Sequence, residues 1–211
     1  LILSIGLILY VFTNYSRPTE IIVPFYPGRI DLGAFYIPIT VIFVIMGTVN
    51  SVNLTDGLDG LVSGIVAIIS FFYTVFLTMN NTWNLAIFSS AITGACLGFL
   101  LFNHYPARVF MGDTGSLGLG GALAAIAVLS RSHFYLAILG MIFIIETLSV
   151  ILQVISFKMT GKRIFKMSPI HHHFELSGWS ERKVVHTFWL ITLIAGILGF
   201  LMYKGVIIPI S

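Results

Sequence analysis

Charge is what this sequence has least of. Only 9% of its 211 residues are Asp, Glu, Lys or Arg, where a soluble domain carries about 25%. Hydrophobic residues make up 57%, and the mean hydropathy is +1.01. A water-soluble chain of this length has nowhere to put that much apolar surface, so soluble globular classes are excluded. Cysteine is nearly absent: Cys96 stands alone, which rules out an intrachain disulfide, and its place inside an apolar run makes it a small packing residue. The start carries no charged n-region of the kind a signal peptide has. The chain opens on Leu1, already apolar, and residues 1–13 are uncharged but too short to cross a bilayer. They read as the tail of a helix that begins upstream, and the sequence as a fragment. There is no internal repeat and no low-complexity tract.

What the chain does have is long uncharged stretches. No Asp, Glu, Lys or Arg lies between Asp31 and Asp56, between Asp59 and Arg108, or between Lys183 and Lys204. A span needs roughly 20 mainly apolar residues to cross about 30 Å of hydrocarbon. Six full spans are predicted, at 34–52, 61–79, 85–102, 115–130, 134–157 and 184–203, after the truncated first one. Asn80-Asn81-Thr82-Trp83-Asn84 is a polar turn dividing one long apolar stretch into two helices. Residues 14–33, with Pro18, Pro24, Pro27 and Gly28, read as an extended or hairpin-like connection. The expected fold is all-α, a polytopic transmembrane helix bundle forming one domain over 1–211, with an active-site cleft on its cytoplasmic face.

Alternation puts the loops 53–60, 103–114 and 158–183 on one side of the bilayer. The connections 14–33, 80–84 and 131–133, with the C-terminal tail, fall on the other. The first group holds seven basic residues (Arg108, Lys158, Lys162, Arg163, Lys166, Arg182 and Lys183) and the second four (Arg17, Arg29, Arg131 and Lys204). The positive-inside tendency makes the first side cytoplasmic. The net charge of +3 and the pI near 9.1 therefore describe basic loops beside spans. They suit anionic lipid or substrate phosphates and do not point to nucleic acid.

The same three loops hold the residues that can do chemistry. The first reads Asn50-Ser51-Val52-Asn53-Leu54-Thr55-Asp56-Gly57-Leu58-Asp59-Gly60. Asn50 and Asn53 are one helical turn apart and share a face, and Asp56 and Asp59 repeat the spacing. Paired carboxylates and amides at a membrane boundary suit a metal–phosphate or sugar site, because hard cations prefer oxygen. Asp-Gly turns with a helix cap explain the pattern equally well. An EF-hand needs several more acidic positions. Asn53-Leu54-Thr55 also fits the glycosylation pattern, as do Asn14-Tyr15-Ser16 and Asn80-Asn81-Thr82, a pattern too short to carry weight.

In the second loop Asp113 precedes Gly115 and Ser116 at a helix start, where free N–H groups and the dipole favour an anion. An acid beside an anion implies a cation between them, while Asp113 or Thr114 also suits capping of a helix over 115–130. The third loop contains Pro169-Ile170-His171-His172-His173-Phe174-Glu175. Zinc ligands on one helix are normally spaced as His-x-x-x-His. Adjacent histidines point in different directions, and phosphate or sugar recognition suits them better; an internal run of three is no affinity tag. Within the span 134–157, Glu146 shares a face with Ser149 and Gln153. A carboxylate at that depth faces a bundle interior or a wet cavity, so Glu146 is expected to be structural or to support another residue.

Together the stretches Asn50–Leu61, Phe102–Gly118, Glu146–Lys158 and Met167–Gly178 resemble, in order and over the whole length, the phospho-N-acetylmuramoyl-pentapeptide-transferases of bacterial cell-wall synthesis. The Pro-Ile-His-His-His-Phe-Glu run separates that family from relatives that transfer N-acetylglucosamine phosphate. The resemblance implies transfer of phospho-MurNAc-pentapeptide from UDP-MurNAc-pentapeptide to undecaprenyl phosphate with Mg²⁺, releasing UMP. It implies a multi-pass homodimer in the bacterial inner membrane, within the lipid bilayer. It implies that Asp113 binds Mg²⁺ at the pyrophosphate and that Asp56 and Asn53 sit in the catalytic cleft. Gly57, Leu58, Asp59, Asn103, Phe110 and Gln153 would form the nucleoside pocket, with Phe110 near the uracil. His171 and His172 would contact the phosphate and sugar side, with Asn50 and His173 beside the substrate and Ser116 close to Asp113. Family members also carry an Asp-Asp pair and a lysine in an N-terminal part, which this sequence does not contain, along with about four of ten spans. The chain alone is therefore expected to be inactive.

Two other readings fit parts of the pattern. Asp113-Thr114-Gly115-Ser116 resembles the aspartic-protease motif, whose chemistry needs two carboxylates sharing a proton, but the amides, histidines and lysines would then be unexplained. Glu146 inside a span fits a transporter, but a transporter spreads polar groups along a path rather than concentrating them at one face.

Overall fold

The computed structural model describes residues 2–24, 26 and 28–203. Leu1, Phe25, Pro27, Lys204 and the tail after it lie outside the described residues, and so do the expectations that fell on them. Helix α1 (Ile2–Asn14) leads into a two-stranded hairpin of β1 (Glu20–Ile22) and β2 (Arg29–Asp31), paired antiparallel with Ile21 opposite Ile30. This is the hairpin-like connection expected over 14–33. A long helical span α2 (Gly33–Thr55) follows, π-helical through Ile39–Met46. Then come α3 (Leu61–Met79), α4 (Trp83–Asn103), α5 (Gly112–Leu129), α6 (His133–Leu139), α7 (Met141–Thr160), the short α8 (Ile170–Leu176) and α9 (Glu181–Tyr203).

Among the described residues six helices are long and apolar enough to cross a membrane, namely α2, α3, α4, α5, α7 and α9. Helices suit that medium because each satisfies its backbone polar groups internally, which hydrocarbon cannot do. The architecture is the expected multi-pass helical bundle. Helix α3 is its axis, with 72% of its apolar window buried against 22% for α4. It packs on α4 and α9 and carries the largest block of fully buried side chains, including Leu61, Ile65, Ile69, Tyr73 and Leu77. Leu101 on α4 and Phe43 on α2 stay exposed, as a lipid-facing surface requires.

Four details differ from the sequence reading. The span placed at 134–157 is broken at Gly140 into α6 and α7. Uncharged apolar sequence runs across the break, so composition gave no sign of it beyond the glycine. Helix α5 begins at Gly112 rather than at residue 115, with Met111 at its cap and no side-chain cap bond. Asp113 therefore lies inside the first turn, where a negative charge still meets the positive end of the dipole. Helix α2 runs to Thr55, which moves Asn53 from loop to helix. The third loop contains α8, started by Pro169. Proline tolerates a helix start because the N–H it lacks would have no intrahelical partner there.

The two ends of the bundle are built differently. At one end the hairpin folds over the α5–α6 turn: the Ile22 N–H donates to the Arg131 carbonyl at 2.8 Å and the Tyr15 hydroxyl to the Leu129 carbonyl at 2.8 Å. The Arg131 side chain is fully buried there, 4.5 Å from the Tyr15 ring centroid and 3.7 Å from a Glu20 carboxylate oxygen. Glu20 also meets Arg17 at 2.9 Å and Arg29 at 3.8 Å. Burial, aided by the charge of Arg29, pulls the Arg131 pKa below the usual guanidinium value, while Tyr15 and Glu20 oppose it. At the other end the three polar loops converge.

Candidate active site

The convergence begins with a glycine. A Cβ added to Gly120 would stand 2.8 Å from the Val49 Cα, so only glycine lets α5 lie this close to α2. Small residues serve this purpose between membrane helices. One turn further along, the approach brings Asn53 onto the start of α5. Its amide donates to the Asp113 carboxylate at 3.1 Å and to the Ser116 hydroxyl at 3.0 Å. Ser116 is buried and donates in turn to the Gly112 carbonyl at 3.1 Å. Asp113, Asn53 and Ser116 thus form one joint, with the Asp113 side chain open to solvent.

Asp56 lies immediately past the end of α2. Burial raises its pKa, and the Asp113 charge raises it further. Two carboxylates share this corner and repel each other. Gly57 follows, and a Cβ on it would overlap Nε2 of His171. The His171 ring is fully buried, with its Nδ1 3.1 Å from a Glu146 carboxylate oxygen on α7; Glu146 is fully buried too. Glu146, expected to be a supporting residue, therefore contacts one of the expected site residues.

The remaining predicted residues divide into those that brace and those that face outward. The Asp59 carboxylate accepts the Ala107 N–H at 2.9 Å, and its own N–H donates to Glu181 on α9 at 2.7 Å. Buried Asn103 accepts from the Ser63 hydroxyl at 2.8 Å and donates to the Val109 carbonyl at 3.0 Å. These bonds tie the first loop to the second and to α9. Gln153 is engaged by the third loop: it accepts from the Ile164 and Phe165 N–H groups, both at 3.0 Å, and donates to the Phe165 carbonyl. Leu58 packs on the core. Phe110 is 75% exposed, an aromatic face held out beside Asp113 in sequence.

The three histidines of α8 go three ways, as consecutive helix positions must. His172 pairs with Glu175 at 2.8 Å, and His173 accepts the Lys166 N–H at 3.1 Å. Asn50 is not brought into the cluster. Its amide donates back to the Met46 carbonyl at 2.7 Å, and it lines an apolar cavity of about 530 Å³ with Leu3, Phe88 and Leu117. Two residues the sequence reading missed belong to this end, Ser63 and Glu181, and so does the pairing of Glu146 with His171. Helical patterning gives no signal for them, because each partner is distant along the chain.

The fold and this end of it define a class: a membrane-embedded helical bundle with carboxylates, amides and histidines gathered where the spans meet water. The profile of glycosyl transferase family 4 matches residues 1–131. The chain belongs to that family, and not with the aspartic proteases or transporters. It is 54% identical over 196 residues to a protein of Caldanaerobacter subterraneus subsp. tengcongensis named phospho-N-acetylmuramoyl-pentapeptide-transferase, covering 93% of this chain and 62% of the relative. Proteins of the same name from Halalkalibacterium halodurans (56% over 186 residues, 88% of this chain and 57% of the relative) and Acetivibrio thermocellus (50% over 202 residues, 94% and 61%) are also similar. The chain spans less than two thirds of the length of these curated relatives.

Proposed function

We propose that the chain is the larger part of a phospho-N-acetylmuramoyl-pentapeptide-transferase. In this reading the whole protein transfers phospho-MurNAc-pentapeptide from UDP-MurNAc-pentapeptide to undecaprenyl phosphate, giving lipid I and UMP. It works in the bacterial inner membrane as a homodimer, with the three polar loops facing the cytoplasm. The observation that carries the reading is the Asn53–Asp113–Ser116 joint with Asp56 beside it, in a chain at least 50% identical over most of its length to proteins of that name.

The joint suits a divalent cation. Among the described residues no group of three His, Cys, Asp or Glu side chains gathers as a cage. Mg²⁺ needs none, since it binds through one or two carboxylates and completes its octahedron with waters and substrate phosphates. Asp113 and Asp56, which the neighbouring Asp113 charge makes harder to ionise, are such a pair. Bound at Asp113, Mg²⁺ supplies charge neutralisation at the pyrophosphate.

The chain's own residues do the rest. Asn53 fixes the rotamer of Asp113, and Ser116 locks Asn53 from behind. The exposed Phe110 ring offers a face to a uracil, and the turn Gly57–Asp59 is held by Ala107 and Glu181 for the nucleoside. His171 and His172 present ring nitrogens on the phosphate and sugar side. Phosphoryl transfer between two phosphates asks for in-line positioning and charge balance more than covalent work by the protein. One acceptor is a long lipid, which suits a site at the ends of spans.

The test is UMP release from UDP-MurNAc-pentapeptide and undecaprenyl phosphate by the protein at the full length of its relatives. Release should require Mg²⁺, and Asp113→Asn should lower it by about 1000-fold, the several kcal/mol that a bound metal contributes. Release that persists in a chelator, or that survives the substitution, overturns the reading.

A further inference from the structure

The Glu146–His171 contact joins two fully buried titratable groups from different helices. Glu146 lies on the spanning helix α7 and His171 on the short α8, yet the Nδ1–Oε1 distance is 3.1 Å and neither side chain meets solvent. A carboxylate taken out of water at this depth persists only with a partner that offers it a hydrogen. The Nδ1 of His171, at 3.1 Å, is the group placed to be that partner. The opposite ring nitrogen, Nε2, is buried with no hydrogen-bond partner among the described residues. It points at Gly57, where a Cβ would overlap it, and Gly57 adjoins Asp56. The ring thus bridges a buried carboxylate on one side and the carboxylate corner on the other.

We propose that Glu146 is a positioning residue for His171. Its carboxylate accepts Nδ1–H, fixes that tautomer and the ring's orientation, and leaves the lone pair on Nε2 directed into the cleft past Gly57. A carboxylate behind an imidazole selects the tautomer and orients the ring. So held, Nε2 can accept a proton from a ligand hydroxyl or hydrogen phosphate. Once protonated it becomes a charged donor to a phosphate oxygen, with Glu146 balancing the charge. Gly57 matters here for its size: any side chain would push the ring out of place. What Nε2 does for turnover rests on the transferase reading; how the ring is held does not.

Two measurements separate those claims. Proton–nitrogen correlation spectra of the full-length protein, labelled with ¹⁵N-histidine and assigned by comparison with His171→Asn, report the tautomer directly. The Nδ1–H form is expected for His171, and it should give way to a mixture in Glu146→Gln, whose amide fills the same space but can donate as well as accept. Kinetics then test the consequence. Glu146→Gln should lower kcat by about 10- to 100-fold, as loss of an orienting partner behind a working histidine does, while KM for the nucleotide substrate moves less than about twofold, and Glu146→Asp should recover part of the loss. An Nε2–H tautomer in the parent overturns the proposal without any variant having to fold. A Glu146→Gln protein with parental kcat, or one whose KM rises while kcat holds, overturns it too. A parent that releases no UMP at all refutes the transferase reading instead, and the tautomer alone then decides how His171 is held.

Discussion

The two ends of the bundle handle charge in opposite ways. At the hairpin end, unlike charges are interleaved: Glu20 lies among Arg17, Arg29 and Arg131, and the buried guanidinium also covers the Tyr15 ring. At the polar-loop end, like charges stand side by side, and Asp56 is harder to ionise because Asp113 is near. Neutralisation within the chain stabilises a fold, whereas unneutralised carboxylates at a membrane surface mark a place where charge from outside is received. The difference teaches where to look for function. Both ends contain buried ionisable groups, so burial alone does not discriminate; the sign pattern does.

That contrast can be broken at either end. Glu20→Gln removes the carboxylate from around buried Arg131 and should cost about 3 kcal/mol of stability, the usual result of taking one partner from a buried pair. Thermal unfolding followed by tryptophan fluorescence should show it, with UMP release per folded molecule unchanged. A stable variant would mean that the hairpin end does not depend on the Glu20 carboxylate.

Gly120→Val acts at the other end. It forces α5 off α2 and carries Asp113 away from Asn53, so turnover should fall by about 100-fold, the effect of misplacing a reacting group by an ångström. If turnover instead stays near the parental value, the joint does not depend on that approach.

Asp56→Asn should have the smallest effect on stability and the opposite sign. The raised pKa means that the native state holds the Asp56 proton more tightly than the unfolded chain does. Its stabilising contribution is present below the ordinary carboxylate pKa and is lost as pH rises through the elevated value. At neutral pH without metal, removing the charge should therefore stabilise the fold by no more than about 1 kcal/mol for a half-buried group, read as a higher Tm. Mg²⁺ should narrow the gap by stabilising the parent. A lower Tm for Asp56→Asn in chelator would contradict the repulsion.

Most of the fold could be read from the chain. The uncharged stretches located α2, α3, α4, α5 and α9 to within three residues at every boundary, because twenty apolar residues have few other solutions in a bilayer. Alternation grouped the three polar loops, and bonds such as Asn53–Asp113 and Asp59–Glu181 join them. The break at Gly140 was hidden because both flanking segments are equally apolar. Arg131 counts as one of four basic residues on its side, with no sign that it is fully buried; the residue that meets it, Glu20, lies 111 positions away. Glu146 and Ser149 were placed on one face correctly, but His171 as the partner required knowing how α8 folds back on α7. Long-range pairings of this kind leave no trace in periodicity.

The bond from the Asp59 N–H to Glu181 spans 122 positions, and it sets a timetable for biogenesis. At about 5–20 residues per second, synthesis of that interval takes roughly 10 s. Throughout it the Asp56–Asp59 turn has been made while the helix that anchors it has not. His171, which closes over Gly57, also arrives late. The nascent protein can therefore thread α2 to α5 into the bilayer before Glu181 and His171 exist to complete the turn at Gly57–Asp59.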